Sequence, residues 1–147
     1  MNNINTLIKI HQIRDNEKQE AQIAHAKSVE FFENLAEKLY TLLKKKEKLE
    51  SELSLKGSQA ITIGEIQSKS TYLDRLIEQA LLLQNEVNNA RNIMEEARTN
   101  LTDAHIEARK IEKMIELRKE EMQIQLNKIE NNLMDEISIQ QFMAKNG

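Results

Sequence analysis

This 147-residue chain has no proline, cysteine or tryptophan, and its only glycines are Gly57, Gly64 and Gly147. Average usage would supply roughly seven prolines and ten glycines, so nearly all of the chain is expected to be long helix, with its internal breakers confined to one place. The missing cysteines exclude disulfides and thiolate metal sites and permit a reducing compartment. No apolar run exceeds Ala80 to Leu83, far too short to span a bilayer, and Met1 to Ile13 lacks the basic start and apolar centre of a secretory signal. A cytosolic chain is expected. Neither charge sign dominates: 21 Lys plus Arg stand against 24 Asp plus Glu, interspersed, which argues against nucleic acid or an anionic membrane as the main partner. The one basic cluster, Lys44, Lys45, Lys46 and Lys48, reads as solvated charge near a helix C-terminus.

The sequence does contain an unbroken heptad seam. Alternate steps of three and four pass through Leu73, Leu76, Ala80, Leu83, Val87, Ala90, Met94, Ala97, Leu101, Ala104, Ala108, Ile111 and Ile115. In a chain that is 39% hydrophobic, one register and start would give this on the order of a few times in a million. A second stripe runs Phe32, Leu35, Leu39, Leu42, Lys46, Leu49, Leu53. Extended backwards, it meets Ser28, His25, Ala21, Lys18, Arg14 and His11, then Leu7 and Ile4, leaving Ile10, Ile13, Ile23 and Val29 off the seam.

Between the stripes Gly57 can end a helix, Thr62 with Glu65 forms a capping box, and Ile61 with Ile66 stands at the staple positions. The spacing predicts a single all-α coiled-coil domain over 1–147. Its helices run from about 4–55 and 63–143 around a turn at about 56–62, forming an antiparallel hairpin with the second helix longer. If Leu53 faces Ile66, paired residue numbers total about 119, so Phe32 meets Val87 and Ile4 meets Ile115. Everything after Ile115 then lacks a partner helix. From Glu116 to Phe142 this overhang would project about 40 Å; the segment carries Leu117, Met122, Ile124, Leu126, Ile129, Leu133, Met134, Ile137, Ile139, Phe142 and Met143, with a four-plus-four stutter at Arg118, Met122 and Leu126. An apolar helix without a neighbour needs another surface, whether a partner protein or a second copy.

A second surface is expected near the turn. With Leu73 at heptad position a, Leu81 and Leu82 fall at b and c on the outer face, Tyr72 and Ile77 at the g and e flanks, and Tyr40 of the first helix at b. Catalytic motifs are lacking: there is no phosphate-binding glycine loop, no HExxH and no nucleophile elbow. His11, His25 and His105 have no His or Cys one turn away, so neither metal nor cofactor is expected, and the chain is not expected to be an enzyme.

Three blocks carry a resemblance. Phe32-Glu-Asn-Leu-Ala-Glu-Lys-Leu-Tyr40, Asp135-Glu-Ile-Ser-Ile-Gln-Gln-Phe-Met143 and the N-terminal Ile-x-x-Leu-Ile-x-Ile-x-x-Ile-Arg-Asp-Asn-Glu-Lys-Gln resemble the FliJ family of bacterial flagellar type III export, especially its Gram-positive members. The likeness covers almost the whole chain. It implies an antiparallel coiled coil similar to the stalk of rotary ATPases, monomeric when free. One end would sit in the pore of the hexameric export ATPase, stimulating it, and the tip side would meet the export gate. Export chaperones would be further partners, and the chain would serve flagellar assembly and motility at the cytoplasmic face of the membrane, held there through partners only. On the overhang reading the ring contacts would be Ile129, Leu133, Ile137 and Phe142, with Leu7 and Ile8 from the other terminus. The gate contacts would be Tyr72, Leu76 and Leu82; Tyr72 and Leu76 match the aromatic and leucine of the family's gate stripe, and Gln79 and Leu83 match it more weakly. Two other classes fit the same residues: a structural spacer or homodimer, and a holdase-like chaperone. Mass in solution separates a monomeric stalk from a dimeric spacer, and rescue of an aggregating client would mark the chaperone.

Overall fold

The computed structural model describes the backbone of residues 2–56 and 62–146, with side-chain environments for 4–54 and 62–146. Helix α1 runs Asn2–Lys56 and the longer α2 runs Ile63–Asn146; there is no strand among the described residues. Gly57 and Ile61, expected to end one helix and staple the next, lie outside the described residues. Thr62 caps α2 as expected: its Oγ1 accepts from the Glu65 amide at 3.2 Å, and its carbonyl oxygen accepts from the Ile66 amide at 3.2 Å. The first bond satisfies one of the orphan donors at the helix start, and the second is the first rung of the helix ladder.

The chain divides into two compact units, Gln19–Thr102 and Met1–Lys18 with Asp103–Gly147. In the first, α1 and α2 pack antiparallel on a core of Leu35, Leu39, Val87 and Ala90, against which Phe32, Ala80 and Leu83 pack. Every heptad seam position in this unit is buried or half-buried, including Leu49 and Leu76. Polar seam residues obey the same register: Ser28 is buried and its hydroxyl donates to the His25 carbonyl oxygen at 2.6 Å, which removes the cost of hiding it. Ile23, apolar but off the seam, is exposed.

The stagger differs from the expectation. The Phe32 ring lies under the Arg91 guanidinium at 5.5 Å, and Glu52 meets Lys69 at 3.7 Å, so paired numbers total about 121–123 rather than about 119. Antiparallel coils layer a positions on d positions, and a total of about 122 does this, setting Leu39 level with Leu83 and Leu35 with Val87. Phe32 therefore lies level with Ala90. Ile66 is exposed rather than facing Leu53; α2 enters the seam one turn later, at half-buried Lys69.

In the other unit the first turns of α1 lie on α2. Ile4, Leu7, His11, Arg14 and Lys18 are half-buried, as are Ala104, Ile111 and Ile115, and Ala108 is 1% exposed. His11 Nε2 and Glu112 Oε1 are 3.2 Å apart. Alanines opposite long polar side chains give their stems room to pack while the charged ends reach water. Coverage stops at Ile115: every described residue from Glu116 to Asn146 is exposed, and all are helical.

Candidate interaction surfaces

The exposed part of α2 spans about 45 Å at 1.5 Å per residue. Ile129, Leu133, Ile137 and Phe142 are 62%, 55%, 42% and 68% exposed. At 100° per residue, Met122, Leu126, Ile129, Leu133 and Ile137 share about 80° of arc. Phe142 does not belong to that stripe. With Leu117 and Ile124 it lies about 180° away, on a side that carries Lys128, Asn131, Asp135 and Ser138 between Ile124 and Phe142; over the last three turns Leu133, Met134, Ile137, Ile139, Phe142 and Met143 spread apolar surface round the whole helix. The groove lined by Ile129, Asn132, Leu133, Asp135, Glu136 and Ile139 flanks the first stripe. At the other terminus Ile8 is exposed, whereas Leu7 is half-buried on the seam.

In the unit Gln19–Thr102 the expected turn-side residues separate. Tyr72 and Leu82 are 49% and 67% exposed, but Leu76 is only 2% exposed. Leu76 is a core residue that fixes the helix spacing beneath Tyr72 and offers a partner no side-chain surface. Leu82 lines a groove with Lys38, Leu42, Gln79, Leu83 and Glu86, the flank formed by g and c positions. Leu81, 64% exposed, occupies b and faces the other side of the seam. Leu81 and Leu82 both point outward, as their b and c positions predict, but the helical turn of 100° between neighbours puts them on different surfaces.

Among the described residues no group of three or more His, Asp or Glu could hold a metal ion, and no helix is long and apolar enough to cross a membrane. Glu112 is drawn below the usual carboxylate range first by the hydrogen bond from His11 and also by Arg109, against an opposing effect of burial. It forms a structural pair with no reacting geometry around it.

Exposed apolar side chains on both units of this coil offer surface to other proteins. Residues 3–147 match the protein family described as "Flagellar FliJ protein", and the "Flagellar FliJ protein" of Bacillus subtilis (strain 168) is 33% identical over 137 residues, 93% of each chain. The chain belongs to the FliJ family and is a non-catalytic component of the flagellar export apparatus. No solved structure matches it.

Proposed function

We propose that the chain is a stalk-like adaptor, monomeric when free, whose exposed α2 end enters the pore of the hexameric flagellar export ATPase and stimulates it. The observation that carries this reading is the continuous exposed helix beyond Ile115, whose last turns, from Leu133 to Met143, are apolar all round. A single neighbouring helix covers one stripe; a helix apolar on every side calls for enclosure. Ile129, Leu133, Ile137 and Phe142 make the ring contact, with Ile8 and the edge of Leu7 beside it. Tyr72 and Leu82 meet the export gate protein, with Leu76 holding the coil beneath them. Held between these partners, the chain is peripheral to the cytoplasmic face of the membrane, promotes export and takes part in cycling of export chaperones.

The test is an ATPase assay of the purified export ATPase with this chain, combined with cross-linking from a photoreactive residue at position 133. Stimulation together with cross-links to pore-facing residues supports the adaptor. A stable dimer in sedimentation that neither stimulates nor cross-links supports a spacer, the reading favoured by the single stripe from Met122 to Ile137.

A further inference from the structure

Both flanks of the coil in the unit Gln19–Thr102 carry exposed apolar residues, and their surroundings have opposite charge. On the g and c flank, Tyr72 and Leu82 stand among exposed Lys38, Lys45, Lys48 and Arg75. On the e and b flank, Tyr40 and Leu81, 62% and 64% exposed, have register numbers totalling 121 and so lie level with each other across the coil. Leu43, 36% exposed, and half-buried Ile77, whose numbers total 120, lie level with each other one turn further along the same flank. Four apolar side chains from two helices thus form one patch. Its rim is acidic: Glu33 and Glu47 on α1 and Asp74 and Glu78 on α2 are exposed at neighbouring b and f positions, while Glu37 lines a groove of the other flank with Lys38 and Lys45. The nearest cation, Lys44, lies over the Tyr40 ring at 5.4 Å, which leaves the carboxylates as the dominant charge.

We infer that the patch formed by Tyr40, Leu43, Ile77 and Leu81 is a second docking surface, separate from the Tyr72 and Leu82 flank, and that it takes an amphipathic partner helix whose apolar stripe is bordered by Lys or Arg. Charge complementarity selects the occupant: a helix with acidic borders would set like charges along both edges, and one with basic borders finds carboxylates on both α1 and α2. The opposite flank, with its lysines and Arg75, favours the reverse sign. The coil can therefore hold two chemically different partners at one level, a conclusion that stands whether or not the gate contact proposed above is correct.

The experiment titrates the full chain against two fluorescent amphipathic helices of about eighteen residues, one of leucine and lysine and one of leucine and glutamate, read by anisotropy. The Leu/Lys helix is expected to bind, and Tyr40→Ser with Leu81→Ser should weaken it about tenfold or more, as loss of two anchor side chains does. Leu82→Ser and Leu133→Ser should each leave it within about twofold. Glu47→Lys with Asp74→Lys, exposed changes that keep the apolar patch, should weaken the Leu/Lys helix and strengthen the Leu/Glu helix. Circular dichroism of each variant reports retained helix. Equal binding of both helices, loss with Leu82→Ser or Leu133→Ser instead, or dimerisation of the chain through Tyr40 and Leu81 in sedimentation would overturn the inference.

Discussion

His11 Nε2 lies 3.2 Å from Glu112 Oε1, joining the first helix to the second between residues 101 positions apart. Arg109, one turn before Glu112, meets the same carboxylate through Oε2 at 3.2 Å. The hydrogen bond from His11 is the main reason that the Glu112 carboxyl is held below its usual range. A carboxyl with a lowered folded-state pKa stabilises the fold above its unfolded value and loses that contribution as pH falls through the folded value. Thermal midpoints measured from pH 7 down to pH 3 should therefore drop more steeply below about pH 4.3 in the parent chain than in Glu112→Gln. Parallel curves would show that the pair contributes nothing to acid stability.

The core of the unit Gln19–Thr102 predicts a sharp contrast between seam and surface. Leu39 is 8% exposed and packs in the cluster with Val87 and Ala90, so Leu39→Ala should cost about 2–3 kcal/mol by lost transfer and cavity formation. Leu83→Asp, which sets a carboxylate against the same cluster, should cost at least as much. Leu81→Ala should stay within about 0.5 kcal/mol of the parent chain, as exposed sites do. Urea titration followed by circular dichroism measures all three.

On the flank proposed to meet the export gate, Tyr72→Ala with Leu82→Ala should lower binding to the export gate protein by about tenfold while helicity and melting temperature hold. Leu76→Ala separates contact from support. Because Leu76 is 2% exposed, that change should lower stability and weaken binding in proportion to lost fold. Calorimetry of gate binding beside thermal melts decides between them.

How much could be read in the sequence depended on which atoms decide each feature. All thirteen α2 seam positions from Leu73 to Ile115 are buried or half-buried, because a heptad of leucine, isoleucine and alanine repeats the same demand every two turns. The register of α1 was legible even where its residues misled: His11, Arg14 and Lys18 keep the seam while apolar Ile13 is 58% exposed, since phase set by many layers outweighs single side chains. Stagger is legible only in part. Layering a on d excludes a total of 119 and admits 122, but which admissible total is adopted depends on how far α2 runs before Lys69 enters the seam, which the composition of Gly57 to Ile66 leaves open. Phe142 follows Ile129 in the sequence, and only its angle on the helix takes it off the stripe. The division of Leu81 from Leu82 needs no stagger: b and c border different flanks of an antiparallel coil.

The proposed enclosure of the α2 end makes a comparison within one helix possible. If a ring surrounds it, Leu133→Ala and Phe142→Ala should each reduce ATPase stimulation about fivefold or more despite lying on opposite faces. If one neighbour lies along the Met122 to Ile137 stripe, only Leu133→Ala should matter. Dose–response curves of the two variants with the purified ATPase give the answer.

Truncation after Lys128 tests the central claim most directly. It removes Ile129, Leu133, Ile137 and Phe142, and every described residue it removes is exposed, so no covered seam residue is lost. The shortened chain should therefore melt within a few degrees of the parent, about what a change below 1 kcal/mol produces, while association with the export ATPase and its stimulation are abolished. Full stimulation by the truncated chain, with its helicity intact, would contradict the pore-entering stalk.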